Sequence, residues 1–232
     1  MLTGGVATRL LVSLSGVDAG SLEHCASVAD ELDRLRVPLS LLVNPLPEQS
    51  AVGWVRFRRS TGDALVLNGF GRSPVFVPQQ RRARRKPSLP AHEAGLRLIA
   101  TVASLEVRGL VTDCFALLDE TVSLGTMTAL RRHGFTVCAD ANGVHDLKTG
   151  THWRGRVRRI GQRAEFAMIP RRAELVRITV DAADLARHPY RWALFDAVED
   201  ALRDGAIPGT YAEVRVPPLR RASGHGPRSS PR

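Results

Sequence analysis

Residues 64–72 read Ala64-Leu65-Val66-Leu67-Asn68-Gly69-Phe70-Gly71-Arg72, and this stretch decides the fold. Four apolar residues without alternation are typical of a buried parallel strand. The run stops at the polar side chain of Asn68 and at two glycines, which allow the backbone to turn sharply. The carboxyl end of such a strand is where α/β folds place ligand-binding and catalytic groups. The stretch therefore predicts a parallel α/β fold with a site that begins at Asn68.

The chain before this stretch has the pattern of a β-α-β unit. The apolar pattern predicts the first strand at Arg9 to Leu14 and the second strand at Leu39 to Val43. A helix is predicted between them, and its candidate N-cap is Asp18 or Ser21. The apolar stripe of that helix is spaced by three and four residues: Leu22, Cys25, Val28, Ala29, Leu32 and Leu35. This arrangement predicts a parallel pair of strands with a right-handed crossover.

The rest of the chain continues the alternation of strands and helices. Further strands are predicted at residues 64–67, 114–117, 135–139, 156–160 and 175–180, and helices near residues 54–57, 90–108 and 123–133 and from Pro189 onward. The predicted buried face of the 90–108 helix is Leu96, Ile99, Val102, Ala103, Leu105 and Leu110. Seven strands alternating with helices leave two architectures open, a seven-stranded (β/α) barrel and a doubly wound sheet.

Length and charge indicate the domain organisation. We expect one domain at residues 9–216, after a short segment 1–8 and before a disordered, arginine-bearing tail at 217–232. The net charge of +10 comes almost wholly from that tail and from a Pro- and Arg-rich loop, 71–90, which contains RRARRK at 81–86. Because this run has no interleaved aromatic residues for base stacking, a solvated loop is favoured over a nucleic-acid site.

The cysteines and the apolar runs predict a cytoplasmic protein. Cys25, Cys114 and Cys138 are odd in number and widely spaced, which favours buried reduced thiols over a disulfide framework or a zinc ribbon. The N-terminus lacks a signal-peptide pattern, and no apolar run approaches the ~18 residues of a membrane span. The oligomeric state stays open.

Polar side chains follow one predicted strand after another. They are Ser15, Asp18, Asn44, Asn68, Asp119, Glu120, Asp140 and Asp181. In a parallel barrel, residues at these positions converge on one mouth. The alternative is that strand ends simply meet polar loops.

Common catalytic and nucleotide-binding motifs are absent from the sequence. There is no GxxxxGK[ST] loop, no GxGxxG that opens a helix, and no GxSxG elbow. His145 and His152 lie in a predicted loop near the mouth and could bind zinc together with Asp140 or Asp146. Ordinary loop histidines are the favoured interpretation of this pair.

Six segments of the chain resemble the polysaccharide deacetylase superfamily, in a deacetylase-like branch. The resemblance spans roughly residues 8 to 211. The six segments are LLVSLSGVD, VPLSLLVNP, GDALVLNGF, LPAHEAGLRLIA, GFTVCADANGV and FDAVEDALRDGAIPGTY. The resemblance implies a distorted seven-stranded (β/α) barrel. It also implies removal of acetyl groups from N-acetylated sugars with one divalent metal, zinc by family, which an Asp and two His hold while a second Asp acts as base on the bound water.

Compared with that pattern, the metal-binding motifs of this sequence are degraded. Ser15-Gly16 stands where the family has adjacent carboxylates, and Asp18 follows. Asn68 and Arg72 stand at the two His positions after the third strand. Leu117 to Asp119 replaces the Arg-containing motif, and the final His position falls near Asp181 to Asp184. An amide is a poor zinc ligand, and a guanidinium cannot ligate because it stays protonated.

Three hypotheses follow, and enzymatic activity stays open among them. The first is a deacetylase-like protein with an inactive or altered site, with Asp18, Asp119 and Asp181 as candidate catalytic residues. In the second, a rebuilt site binds magnesium or manganese through three carboxylates that lie within about 5 Å of one another. Asp18, Asp119 and Asp140 are the first candidates among the mouth carboxylates, which are Asp18, Asp119, Glu120, Asp140, Asp181 and Asp184. The third is a non-catalytic module that binds a sugar or an anion at the mouth. The candidate ligand-binding residues are Asn68, Arg72, Glu120 and Asp184.

Overall fold

The computed structural model describes residues 8–70, 89–162 and 174–214. Predictions about Arg72, the 81–86 run, most of the 71–90 loop, nearly all of segment 1–8 and the 217–232 tail therefore lie outside the described residues. The strands are β1 (Arg9–Ser15), β2 (Leu39–Val43), β3 (Ala64–Asn68), β4 (Cys114–Leu117), β5 (Val137–Asp140), β6 (Gly143–Asp146), β7 (His152–Arg154), β8 (Val157–Ile160), β9 (Leu175–Asp181) and β10 (Ile207–Gly209). The helices are α1 (Leu22–Arg34), α2 (Gln49–Ser60), α3 (Ala91–Glu106), α4 (Leu124–Arg132) and α5 (His188–Arg203), with 3-10 turns at Ala182–Ala186 and Tyr211–Glu213.

The seven predicted strands form one parallel sheet. Their order is β5-β4-β3-β2-β1-β9-β8, and every neighbouring pair in this series is parallel. A hairpin of β6 and β7 extends the β5 edge in antiparallel fashion, and β10 pairs with the start of β1. The sheet curls into a distorted barrel, which confirms the predicted fold class.

The two faces of the strands bury two different clusters. Among the described residues, only the outer cluster includes side chains of the α-helices, which favours the barrel over a doubly wound sheet. On β3, Leu65 and Leu67 face outward and pack in the cluster under the helices. Val66, between them, belongs to a second cluster inside the barrel, together with Leu11 of β1 and Ala116 of β4. Since helices cover only the outer face, the inner face is free to line a site at the carboxyl ends of the strands.

The helices confirm one predicted face and correct another. The predicted stripe of α1 is buried at Cys25, Val28, Ala29 and Leu32 and half-buried at Leu22 and Leu35. By contrast, Leu96 and Ile99 of α3 are 56% and 54% exposed. The buried side of α3 is Ala94, Leu98, Thr101 and Leu105. The prediction for α3 was wrong because this helix is apolar on two sides, so periodicity alone does not select the packed one. No helix in the described part of the chain is long and apolar enough to cross a membrane.

The hairpin of β6 and β7 corrects a second prediction. His145 and His152 do not lie in a loop but face each other on the two paired strands. Their rings stack with centroids 4.1 Å apart. These strands escaped the sequence analysis because they are only four and three residues long and alternate polar with apolar side chains.

A buried arginine of β9 connects distant parts of the curled sheet. Arg177 is fully buried, and its Nη1 donates to the carbonyl oxygens of Asp140 at 2.7 Å and Gly155 at 2.8 Å. Its Nε donates to the hydroxyl of Tyr211. Because these contacts join β9 to the ends of β5 and β7, Arg177 holds the two edges of the curled sheet together.

Candidate functional site

A cavity of about 490 Å³ opens at the carboxyl ends of the strands, and we call it the mouth cavity. Its polar lining comes from β1, β3, β8, β9 and the segments that follow β4, β8 and β9. These polar side chains are Ser15, Asn68, Asp119, Arg159, Gln162, Thr179, Asp181 and Asp184. The mouth predicted from the sequence thus contains four of the candidate site residues, Asn68, Asp119, Asp181 and Asp184.

Asp181 is held by the first strand. Ser15 and Asp181 are register partners on β1 and β9, and Ser15 Oγ donates to Asp181 Oδ2 at 2.9 Å. The other carboxylate oxygen accepts from the backbone N–H of Ala183 and caps the 3-10 turn. Gly16 has a φ of +72°, and a Cβ there would lie 2.7 Å from Asp181 Oδ2. Gly16 is therefore needed both for its backbone conformation and for the space it leaves to Asp181.

Asn68 ends β3 and reaches toward the neighbouring strand end. Its Nδ2 donates to Oδ1 of Asn44 at 3.1 Å. Gly69 follows with a φ of +66°, and its N–H donates to the carbonyl of Ala116 on β4. The sharp turn expected from the glycine is therefore present, and it fixes the amide of Asn68 at the rim of the cavity.

Asp119 forms an ion pair with Arg159 of β8 across the mouth cavity. Asp119 follows β4, and four strands separate β4 from β8 in the sheet, so this pair connects two distant parts of the curled sheet. Neighbouring Glu120 does not line the cavity, and its backbone N–H donates to the carbonyl of Leu117. Asp119 is therefore already neutralised by a cation of the same chain.

Asp184 enters the cavity from the 3-10 turn after β9. Its carboxylate lies against Gly161, which follows β8, and a Cβ at Gly161 would overlap it. The absence of a side chain at position 161 thus makes room for this carboxylate, much as Gly16 makes room for Asp181.

Asp18 and Asp140 lie away from the mouth cavity. Asp18 borders a separate cavity of about 250 Å³, and its Oδ1 accepts from the N–H and the hydroxyl of Ser21, at 2.9 Å and 2.7 Å. It therefore organises the start of α1.

Asp140 is 1% exposed, and its carboxylate accepts from the backbone N–H groups of Val122, Asn142 and Gly143. Burial alone would raise the pKa of Asp140. The ring of His145, whose Nε2 lies 3.4 Å from Oδ2, and the hydrogen bonds from the backbone outweigh burial and lower the pKa. Its role is to tie the loop after β4 to the β5–β6 turn. The nearby Asp146 accepts from the N–H groups of Lys148 and Thr149 and shapes the turn between β6 and β7.

The donor set does not fit the metal that the resemblance implies. Among residues 8–70, 89–162 and 174–214, no three His, Cys, Asp or Glu side chains are grouped so that they could hold a metal ion. The remaining segments contain only Glu165 and His225 of these four types. Asp18, Asp119 and Asp140 do not form the expected trio, so the rebuilt magnesium or manganese site has no support in the described residues. The same holds for zinc at His145 and His152.

Three polar residues of the mouth cavity escaped the sequence analysis, and one of them, Gln162, follows β8. Arg159 lies on β8, and Thr179 lies on β9, where it is 5% exposed. A signal for Thr179 was present, because Arg177, Thr179 and Asp181 alternate with apolar residues at a period of two. That period predicts a strand with a polar inner face. Arg159 had no comparable signal, since its neighbour Arg158 is the same residue type.

Comparisons with known proteins identify the fold. No protein-family model and no curated protein sequence matches the chain. Among solved structures, it is similar to a family 4 acetyl xylan esterase from Clostridium thermocellum, with 12% identity, 89% of each chain covered and a TM-score of 0.53. It is also similar to the Xyl-CE4 domain of a multidomain xylanase from the hindgut metagenome of Trinervitermes trinervoides, with 10% identity, 89% of each chain covered and a TM-score of 0.52.

A third similar structure is a peptidoglycan N-acetylglucosamine deacetylase. The identity is 12%, the match covers 87% of this chain and 85% of the deacetylase, and the TM-score is 0.50. At such identities the likeness concerns the fold. This chain has the distorted (β/α) barrel fold of the polysaccharide deacetylases.

Proposed function

We propose that this chain is a deacetylase-like protein that binds a carbohydrate in the mouth cavity without metal-dependent removal of acetyl groups. Under this proposal the ligand is still a carbohydrate, as the fold suggests, but the protein binds it and does not remove its acetyl groups with a metal. It combines the altered-site hypothesis with the binding-module hypothesis, which both place the ligand at the same mouth.

The observation that carries the proposal is the way the mouth carboxylates are bonded. Metal-dependent deacetylation needs ligands for a metal and a carboxylate that takes a proton from its bound water. Asp119 is instead paired with Arg159, and Asp181 accepts a hydrogen bond from Ser15. Asn68 supplies an amide where the resemblance places the first His ligand, and an amide favours hydrogen bonding over zinc binding.

The remaining polar groups suit a ligand rich in hydroxyls. The cavity volume is in the range of small-molecule sites. Asn68 and Gln162 each offer both a donor and an acceptor, Asp184 offers acceptors, and the Thr179 hydroxyl can serve as either. A sugar hydroxyl also donates and accepts, so it can bond to each of these side chains.

Titration calorimetry with N-acetylglucosamine oligomers and xylo-oligosaccharides tests the binding. We expect saturable binding that weakens about tenfold in Asn68→Ala, the loss expected from about one hydrogen bond. Gln49→Ala, which removes an exposed amide at the start of α2, is the matched control and should bind normally.

Acetate release from acetylated saccharides tests the chemistry in the same preparation. With zinc, cobalt, magnesium or manganese added in turn, we expect no metal-dependent release. Release that requires a divalent metal and is lost in Asp181→Asn would show an active deacetylase and overturn the proposal.

A further inference from the structure

A second large cavity lies between helices α1 and α5, apart from the mouth cavity. Its volume is about 690 Å³, and we call it the α1–α5 groove. Both helices pack on the 3-10 turn Ala182–Ala186, and they make few direct contacts with each other, which leaves the groove open. Trp192 of α5 lines it and is 67% exposed, while Leu35 and Phe195 are half-buried beside it.

Carboxylates surround this exposed indole. Five acidic side chains and two arginines line the groove. One carboxylate, that of Glu31, is paired with Arg34, and Arg191 contacts the ring of His188. The other four have no hydrogen bond or ion pair with any described residue: Glu23, Asp30, Asp196 and Glu199.

An indole face next to unpaired carboxylates has the chemistry to bind an arginine. A guanidinium stacks on Trp through a cation–π interaction and pairs with carboxylates through its planar fork of N–H donors. Several arginines in one peptide can occupy several of these positions together. The groove therefore complements an arginine-rich segment.

The chain contains such a segment directly after the described fold. Residues 215–232 include five arginines and no acidic residue. The described residues, by contrast, have 19 Lys and Arg against 22 Asp and Glu, a net charge of −3. Eighteen residues can span up to about 60 Å, which exceeds the size of a domain of this length.

We propose that the α1–α5 groove binds the arginine-rich C-terminal segment, residues 215–232, of the same chain. A tethered segment has an effective concentration near the millimolar range, so it competes well against free basic peptides. The interaction is independent of the proposed sugar binding. It makes the groove a docking surface whose occupancy depends on salt.

Acrylamide quenching of Trp192 fluorescence in the full chain tests the proposal, with Trp192→Phe used to subtract the signal of the other two tryptophans. We expect the bound segment to protect Trp192. Replacing all five arginines of 215–232 with serine should remove this protection, and so should Asp196→Lys with Glu199→Lys. High salt should have the same effect, because it screens the ion pairs.

Glu106→Lys, an exposed charge reversal on α3, is the matched control and should keep the protection. Circular dichroism confirms that each variant is folded. Equal quenching in all variants would overturn the proposal. Protection that increases with protein concentration would mean that the segment binds a second copy, and the assignment to the same chain would be wrong.

Discussion

Ser15 donates a hydrogen bond to Asp181 at the mouth of the barrel, with the two oxygen atoms 2.9 Å apart. The two residues are register partners on adjacent parallel strands, so the bond is built into the sheet. The family pattern has a carboxylate near the first of these positions and a His near the second. A hydroxyl–carboxylate hydrogen bond at the same place is a structural contact that leaves fewer lone pairs of Asp181 for a metal or a proton.

The contact between Gly16 and Asp181 gives the first prediction. Gly16→Ala should destabilise the fold by about 1–3 kcal/mol, because alanine is strained at a positive φ and its Cβ would meet the carboxylate. Replacing Asp181 with Ala in the same chain should recover part of this loss, since the steric contact disappears and only the backbone strain remains. Urea unfolding of the single and double variants measures both quantities. If the changes in unfolding free energy of the two single variants add fully in the double variant, position 16 and the Asp181 carboxylate are not in close contact.

A second prediction concerns Arg58, a buried cation on α2. Arg58 is 3% exposed and binds Asp63 through Nε at 2.7 Å and Asp33 through both Nη atoms. Arg58→Met should cost about 3–5 kcal/mol of unfolding free energy, because it leaves Asp63 buried without its counter-charge. Arg59→Met, at the exposed neighbouring position, is the control and should change stability little. Chemical denaturation of both variants measures the difference, and equal stabilities would refute the role of Arg58.

The pH dependence of stability gives a third prediction, centred on Asp140. Its pKa in the folded protein is lowered, so its contribution is fully present above the unfolded-state pKa of about 3.9 and is lost as the pH falls through the folded pKa. The stability difference between the protein and Asp140→Asn should therefore be constant near neutral pH and shrink only in acid. Denaturation at a series of pH values tests this, and a difference that instead grows in acid would mean that the pKa is raised.

The three cysteines give a fourth prediction. All three are buried thiols outside any disulfide, and burial raises the pKa of Cys25 to about 11. Since the thiolate is the reactive form, native protein should react very slowly with a thiol reagent at neutral pH, and denatured protein should react at three sites. Rapid labelling of one cysteine in the native state would show an accessible thiolate.

The sequence predicts an element well when both of its faces are buried, because burial then requires apolar residues along the whole element. Strands such as β3 are buried on both faces, so an uninterrupted apolar run identified them. The hairpin of β6 and β7 lies at the sheet edge, where short alternating strands resemble a loop. In β10, Pro208 concealed a short edge strand, since Pro is rare within sheets.

The candidate site was predictable in position but not in the bonding of each carboxylate. Asp18, Asp140 and Asp181 all follow strands, yet only Asp181 lines the mouth cavity. A carboxylate after a strand can also bind the local backbone, as Asp18 and Asp140 do, and the sequence pattern is the same in both cases. The partners Ser15 and Arg159 come from distant parts of the chain, so only the fold reveals them.

The metal content of the purified protein shows directly whether the mouth cavity has a metal-binding site. Elemental analysis after dialysis measures zinc, cobalt, manganese and magnesium per chain. We predict much less than one tightly bound metal ion per chain, because Asn68 and the paired Asp119 and Asp181 do not form a ligand set. One tightly bound ion per chain that is lost in Asp181→Asn would contradict the account.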